Sequence, residues 1–198
     1  MFTGIVQTTG KVEEIEKRRE GAVFTVSAEN HLDDLKIGDS ISVDGVCLTV
    51  IFLNKDLLKF ELMPETLRVT RFADLKVGDK VNLENSLVMN GKLDGHIVLG
   101  HADGVGIVKE VLRQGEFTEL IVEPSKDLEK YIAYKGSISI NGVSLTISGL
   151  EDSSFKVSLI THTLDVTNLS DIKEGDKVNL EVDVVARYIE KMLKNIKI

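Results

Sequence analysis

The chain has a single cysteine, Cys47, in 198 residues, so no disulfide can form within it. A reducing cytoplasm is the simplest compartment for such a chain. Basic residues do not outnumber acidic ones. There are 24 Lys+Arg against 32 Asp+Glu, for a net charge of −8. A nucleic-acid partner, which needs a basic footprint, is not expected. No apolar run approaches the roughly 18 residues of a membrane span, so no membrane partner is expected. The opening MFTGIVQTTG has neither a basic leader nor a long apolar stretch, and no secretory signal is expected. Two prolines and the absence of tryptophan carry little information. A Walker loop and a Ser-His-Asp constellation are missing. Gly104-Val105-Gly106 lacks the further glycine and helix of a phosphate loop. His96 and His101, five residues apart on an extended segment, face opposite ways. They make no metal pair, and Cys47 has no partner in ligand spacing, so no metal site is expected. His31 reads as an ordinary surface residue.

What is present is present twice. SISVDGVCLTV at 40–50 returns as SISINGVSLTI at 137–147, an offset of 97 residues. The same offset sets ELMPETLRVTRFADLKVGDKVNLE at 61–84 over SLITHTLDVTNLSDIKEGDKVNLE at 158–181. The tail GDKVNLE recurs letter for letter. The openings align 96 residues apart, with Gly4, Gly10 and Val12 over Gly100, Gly106 and Val108. Two copies are too few for a solenoid, which needs about three. A tandem duplication of one small domain follows. Domains of this size can fold alone, although they bury only about 60% of their unfolded surface. Two similar pockets on one chain would suit chemistry between two similar molecules.

Most segments alternate with period two and carry β-branched residues, which predicts strands at 22–26, 40–43, 46–51, 59–62 and 80–84, each with a counterpart in the second half. Gly38-Asp39, Asp44-Gly45, Gly78-Asp79, Asn141-Gly142 and Gly175-Asp176 mark turns. Short antiparallel strands at this spacing predict small closed barrels, which have no sheet edges. Short helical pieces fit 30–35, 65–70, 125–133 and 163–167, and 85–95 reads as a linker. At the end, Tyr188, Ile189, Met192, Leu193 and Ile196 recur at helical spacing with lysines between. This amphipathic helix, over 185–198, has no copy in the first half.

Asp-Gly and Asn-Gly between alternating residues are strong hairpin signals. With Asp44-Gly45 as a two-residue loop, Val43 pairs with Val46, Ser42 with Cys47, Ile41 with Leu48 and Ser40 with Thr49. One face is then Ile41, Val43, Val46 and Leu48; the other is Ser40, Ser42, Cys47 and Thr49. The second copy sets Ser137, Ser139, Ser144 and Thr146 against Ile138, Ile140, Val143 and Leu145. A single such hairpin reads as a core face and a solvated face. Solvated faces usually carry Lys, Glu or Arg, however, and here every position is a short hydroxyl or thiol, in both copies. Such side chains leave room for a flat ligand and hydrogen-bond to it. Cys47 is open to two readings, a small half-buried hydrophobe or a nucleophile. Its counterpart is Ser144, so the halves are not chemically identical. His101 beside Gly100 is open to an acid/base or a structural role. His162 replaces Glu65 of the first copy.

MFTGIV, DGVCLTV and NGVSLTI, PETLR and THTL, GHIVLGHADG and the twin GDKVNLE tails, in order along nearly the whole chain, resemble the riboflavin synthase α-chain family. The resemblance implies an all-β fold of two tandem six-stranded Greek-key barrels, at 1–96 and 97–185, with a C-terminal oligomerisation helix at 186–198 that builds a homotrimer. It implies a dismutation of two 6,7-dimethyl-8-ribityllumazine molecules with no metal and no cofactor, and it raises an association with lumazine synthase. Carried over by position, a first pocket uses Gly4, Ile5, Val6, Cys47, Leu48, Thr49, Glu61, Leu62, Met63, Pro64, Glu65 and Thr66. A second uses Gly100, His101, Ala102, Lys135, Ser144, Leu145, Thr146, Ser158, Leu159, Ile160, Thr161, His162 and Thr163. Phe2, Ser40 and Asp183 match positions at the family's reaction centre, beside Cys47, Ser144, Thr146 and His101 as catalytic candidates. The chain departs from the family at Asp94, usually glycine, at Thr161, usually proline, and at Ala102, usually a larger branched residue. Two other classes compete: a non-catalytic lumazine or flavin binder on the same fold, and a structural interaction protein. Retention of both hydroxyl faces favours the enzyme over either.

Overall fold

The computed structural model describes residues 1–28, 35–115 and 117–194. The helical piece expected at 30–35, His31 and Ile196 lie wholly or almost wholly outside the described residues. The first half forms β1 (Thr8–Lys17), β2 (Ala22–Ser27), β3 (Ser40–Val43), β4 (Val46–Asn54), β5 (Leu57–Leu62) and β6 (Lys80–Asn85). These close into an antiparallel barrel in the order β1-β2-β5-β4-β3-β6. The second half forms β7 (Gly104–Gln114), β8 (Phe117–Glu123), β9 (Ser137–Ile140), β10 (Val143–Leu150), β11 (Phe155–Ile160) and β12 (Lys177–Val182). Its barrel closes in the equivalent circular order, β7-β8-β11-β10-β9-β12.

Alternation along each strand sends one set of side chains inward. Ile41, Val43, Val46 and Leu48 are buried in the first core with Phe60, Leu62 and Leu83. Ile138, Ile140, Val143 and Leu145 are buried in the second with Val157, Leu159 and Leu180. The hairpin registers are those expected: Ser42 lies opposite Cys47 and Ser40 opposite Thr49. Ser139 likewise faces Ser144, and Ser137 faces Thr146. The turns are two-residue loops with both residues at positive φ, Asp44 at 45° and Gly45 at 78°, then Asn141 at 47° and Gly142 at 81°. Asp, Asn and Gly tolerate that region, and its twist matches the flanking strands.

Helix α1 (Pro64–Val69) and its copy α2 (Thr161–Val166) fall close to the expected pieces. Near 125–133 the structure differs, with only a short 3-10 turn at Glu129–Tyr131. Helix α3 (Val184–Leu193) starts at Asp183, whose carboxylate accepts from Val185 N.

The two barrels meet where their hairpin turns touch, Gly45 against Gly142. A Cβ on Gly45 would lie 2.7 Å from Gly142 N, so the contact admits no side chain. The repeated GDKVNLE tail addresses this seam. Its aspartates, Asp79 and Asp176, accept from Lys76 N and Lys173 N and close the preceding turns. Its lysines reach the other half, Lys80 to Asp171 and Lys177 to Asp74, as exposed pairs worth little. Its asparagines bind across: Asn82 Nδ2 donates to Asn141 O at 2.9 Å and Asn179 Nδ2 to Asp44 O at 2.9 Å. Asn82 and Asn179 accept in turn from Asn168 N and Arg71 N, both at 2.7 Å. Its valines and leucines fill the cores.

Within the seam the symmetry breaks at Asp44. Asp44 is fully buried, and its carboxylate accepts from Asn82 N, Asn168 Nδ2 and Arg71 Nε. The second half has Asn141 and Asn168 at the positions of Asp44 and Arg71. Burial pushes the Asp44 carboxyl above its ordinary value, and the neighbouring Arg71 guanidinium pulls it back in part. Removing one member of a buried pair strands the other charge, at a cost of about 3–5 kcal/mol. Asp44→Asn should therefore lower stability by about 3 kcal/mol in urea denaturation. Asp44→Asn combined with Arg71→Asn, which copies the second half's chemistry, should recover most of the loss. A double variant as unstable as the single one would show that the stranded arginine is not the cause.

Candidate functional site

The expected pockets were grouped by sequence half, and the structure regroups them. The segment Gly4–Val6 leaves the first barrel and lies against the second. Gly4 O accepts from Ser144 N at 2.8 Å, and Val6 is buried in the second barrel's core. The equivalent segment Gly100–Ala102 lies against the first barrel. Gly100 O accepts from Cys47 N at 2.8 Å, and Ala102 packs on the first core. Each hydroxyl face is thus completed by the other half's leading segment. Phe2 and Val98 pair as a short antiparallel bridge where the two segments pass, both fully buried.

Close approach explains the glycines. Gly4 and Gly100 have φ of 76° and 77°, in the left-handed region that costs a side chain strain. A Cβ on either would sit 2.6 Å from Cβ of Ser144 or of Cys47. The segments can reach the hairpins only without side chains at these points.

Around Ser144 the structure assembles a group that sequence reasoning missed. His96 Nδ1 lies 2.7 Å from Ser144 Oγ, and His96 N donates to Thr3 O at 3.1 Å. His96 Nε2 is buried with no hydrogen-bond partner among the described residues. Burial pushes the imidazole below its ordinary 6.5, and the charge of Asp183 opposes this in part. Nothing local in DGH pointed to Ser144, which lies 48 residues further on. A neutral imidazole on a serine hydroxyl can accept or return a proton. Among the described residues no equivalent histidine sits on Cys47, which is half-buried. Among the described residues no cluster of His, Cys, Asp or Glu could hold a metal ion.

The remaining candidates divide by exposure. Ser42 and Ser139, on the hydroxyl faces, are buried near the inter-barrel seam, while Thr49 and Thr146 are exposed and Ser40 and Ser137 half-buried. Leu62 and Leu159 are wholly buried in the cores and offer a ligand no surface, a correction to their expected contact role. Leu48 and Leu145 also point into the cores. Phe2 likewise has no exposed surface and wedges beside Gly100. Met63, just past the end of β5, and Ile160, at the end of β11, are exposed, as is Ile5 in the crossed segment. Glu61 pairs with Arg18, and Glu65 with Arg68. Pro64 opens α1, and Thr66 O accepts from Thr70 Oγ1. Ser158 donates to Ser148 Oγ, Thr161 and His162 lie exposed on α2, and Thr163 O accepts from Thr167 Oγ1. Lys135, in a left-handed turn, lies over the Tyr134 ring. His101 is exposed, its N held by Glu181 and its O by Arg187.

The lumazine binding domain family model matches the chain twice, over residues 3–86 and 99–183. A riboflavin synthase of Actinobacillus pleuropneumoniae is 45% identical over 193 residues, spanning 98% of this chain and 90% of the relative. That of Bacillus subtilis is 40% identical over 195 residues, spanning 98% and 90%. The chain belongs to the riboflavin synthase family. The crystal structure of LumP complexed with riboflavin superposes with a TM-score of 0.87 at 28% identity, covering 92% of this chain and 99% of that one. LumP complexed with 6,7-dimethyl-8-(1′-D-ribityl)lumazine gives 0.84 at 28% identity, covering 92% and 99%. The two family matches each start within a leading segment, Thr3 or Leu99, which space assigns to the other barrel.

A histidine whose folded pKa is lowered favours the native state when neutral. Its contribution is present above 6.5 and is lost as pH falls through the lowered value. Thermal midpoints measured downward from neutrality should fall more steeply for the parent than for His96→Asn. Parallel slopes would assign the acid loss to groups other than His96.

Proposed function

We propose that the chain catalyses the dismutation of two 6,7-dimethyl-8-ribityllumazine molecules. One gives a four-carbon unit to the other, yielding riboflavin and 5-amino-6-(ribitylamino)pyrimidinedione, a transferase reaction that ends riboflavin biosynthesis. The observation that carries this reading is the pair of hydroxyl and thiol faces, each closed by the opposite half's glycine segment. Two like sites suit a reaction between two like molecules, and their differing centres, Cys47 and Ser144, suit unlike roles.

The step needs adjacent rings, a base for the acidic methyl at ring position 7 of one lumazine, and activation of the other ring. Holding both reactants in register can supply about 7–11 kcal/mol of the barrier. Ser144, hydrogen-bonded to His96, is placed to relay a proton, with Thr146 beyond it on the same strand face. Asp183 bears on the same imidazole. Cys47 is placed to attack the acceptor ring or to line it, with Ser40 and Thr49 along the same face. His101 is an exposed acid/base group beside the first barrel's site. Phe2 supports both segments from beneath. No metal and no added cofactor enter the reaction as written.

The working unit in this reading is a homotrimer in which the first barrel of one subunit faces the second barrel of a neighbour. What supports it is α3, whose Tyr188, Ile189, Met192 and Leu193 are all more than half exposed. Exposed Ile5, Met63 and Ile160 also suit cover by another subunit. The setting is cytoplasmic, where association with lumazine synthase would bring the substrate's source to the site.

Incubation with purified dimethylribityllumazine should yield the absorbance of riboflavin without added cofactor. Cys47→Ser and Ser144→Ala should each cut turnover roughly 10²-fold, with riboflavin affinity changed far less. Tight binding with no product would favour the non-catalytic binder. A Cys47→Ser enzyme as fast as the parent would make the thiol a packing group. Deleting residues 191–198 should give smaller species in sedimentation with β-sheet circular dichroism retained; an unchanged trimer would show that the barrels carry the assembly.

A further inference from the structure

One letter of the repeated tail, its final glutamate, has no role in the seam or the cores. Glu84 ends up 4% exposed and Glu181 2% exposed, each a carboxylate carried into the interior. Glu84 Oε1 accepts from Thr3 N at 2.7 Å and Thr3 Oγ1 at 2.9 Å, and Oε2 from Gly4 N at 3.1 Å. Glu181 Oε1 accepts from Leu99 N at 2.7 Å, and Oε2 from Gly100 N and His101 N, both at 2.9 Å. Each therefore grips the leading segment of its own half at the point where that segment crosses over.

The contacts continue on the far side. Thr3 O accepts from His96 N, and Gly4 O accepts from Ser144 N. Those two residues form the His96–Ser144 pair. Glu84, in the first barrel, thus stands one peptide away from the reacting group of the second. Glu181 in the second barrel holds Gly100, whose carbonyl accepts from Cys47 N in the first. Arg187 of α3 adds a charge 3.9 Å from Glu181 and donates to His101 O.

We infer that Glu84 and Glu181 are positioning residues, each setting the reacting group of the opposite barrel through the crossed segment. The inference rests on the proposed reaction for its kinetic half and on contacts alone for the rest. Every partner the two carboxylates meet in these segments is a donor, which is what an acceptor-only group requires. Charge-assisted bonds to several amides fix a segment more firmly than neutral ones. Glutamine has the same shape but would turn an NH₂ toward N–H donors, and at least one amide would lose its acceptor. A shift of even about 1 Å in a reacting group can cost roughly 10²-fold in rate.

The test uses the full chain carrying Glu84→Gln or Glu181→Gln, with Glu84→Asp and Glu181→Asp as charge-retaining shorter forms should the amide variants fold poorly. Amide hydrogen exchange needs no substrate. Glu84→Gln should release protection at Gly4 and Ser144 and spare Gly100 and Cys47; Glu181→Gln should do the reverse. Turnover should fall roughly ten- to a hundred-fold in each. The decisive reading is a double-mutant cycle. Glu84→Gln should add no loss on Ser144→Ala but multiply the loss of Cys47→Ser, and Glu181→Gln should show the opposite dependence. Equal losses on both backgrounds, or protection lost within the mutated barrel's own site, would overturn the inference and leave the glutamates as general stabilisers. A parent with no turnover would refute the proposed reaction while the exchange pattern still decides the crossed wiring.

Discussion

Two closed barrels have no edge strands with which to bind each other, so their union depends on satisfying polar groups that the union itself buries. Unpaired buried donors and acceptors cost about 1–3 kcal/mol each. At the seam the chain meets this demand with side-chain amides. Asn82 and Asn179 each donate across to a turn carbonyl and accept from a backbone amide of the other half, Asn168 N or Arg71 N. An amide side chain can do both at once, which neither a carboxylate nor an ammonium can. Once these bonds fix the hairpin turns against each other, the crossing segments have a fixed distance to span and only glycine can make the approach.

Duplication supplied a symmetric frame, and the departures from symmetry are few. One is the ion pair Asp44–Arg71, where the other half uses two asparagines. Another is Cys47 against Ser144, with His96 attached on the serine side. The first breaks symmetry in the seam and the second in the chemistry. A chain made of two identical halves would present two identical centres, and a donor and an acceptor of a four-carbon unit could not be told apart by them.

Much of the fold was legible in the sequence because its signals are local. Asp44-Gly45 and Asn141-Gly142 specify two-residue turns, and such a turn fixes the register of the strands it joins, so Ser42 opposite Cys47 could be read directly. The repeat supplied the two barrels. The site was legible only in part. Ser144 and Cys47 stood out because their strand faces lack charge. His96 did not, because its partnership with Ser144 is made by the packing of one half on the other, and no sequence period encodes that. The grouping of pocket segments went astray for the same reason. Gly4–Val6 precedes the first barrel along the chain, but the alignment of the two openings does not say which barrel each opening covers. Leu62 and Leu159 were placed at the site by position, while their alternation with exposed neighbours marks them as core.

The exchange of leading segments also sets the order in which the molecule can be finished. Domains generally fold as they emerge from the ribosome, the N-terminal one first. Here a segment ahead of the first barrel belongs to the second: Val6 waits for a core made of strands more than a hundred residues downstream. Cys47 N, for its part, waits for Gly100 O. The first barrel cannot be completed from its own half, and the opening segment stays without its partners until the second barrel closes. The Ser144 centre is therefore finished only when the second barrel closes over the opening segment, and the Cys47 centre only when the chain has passed Gly100.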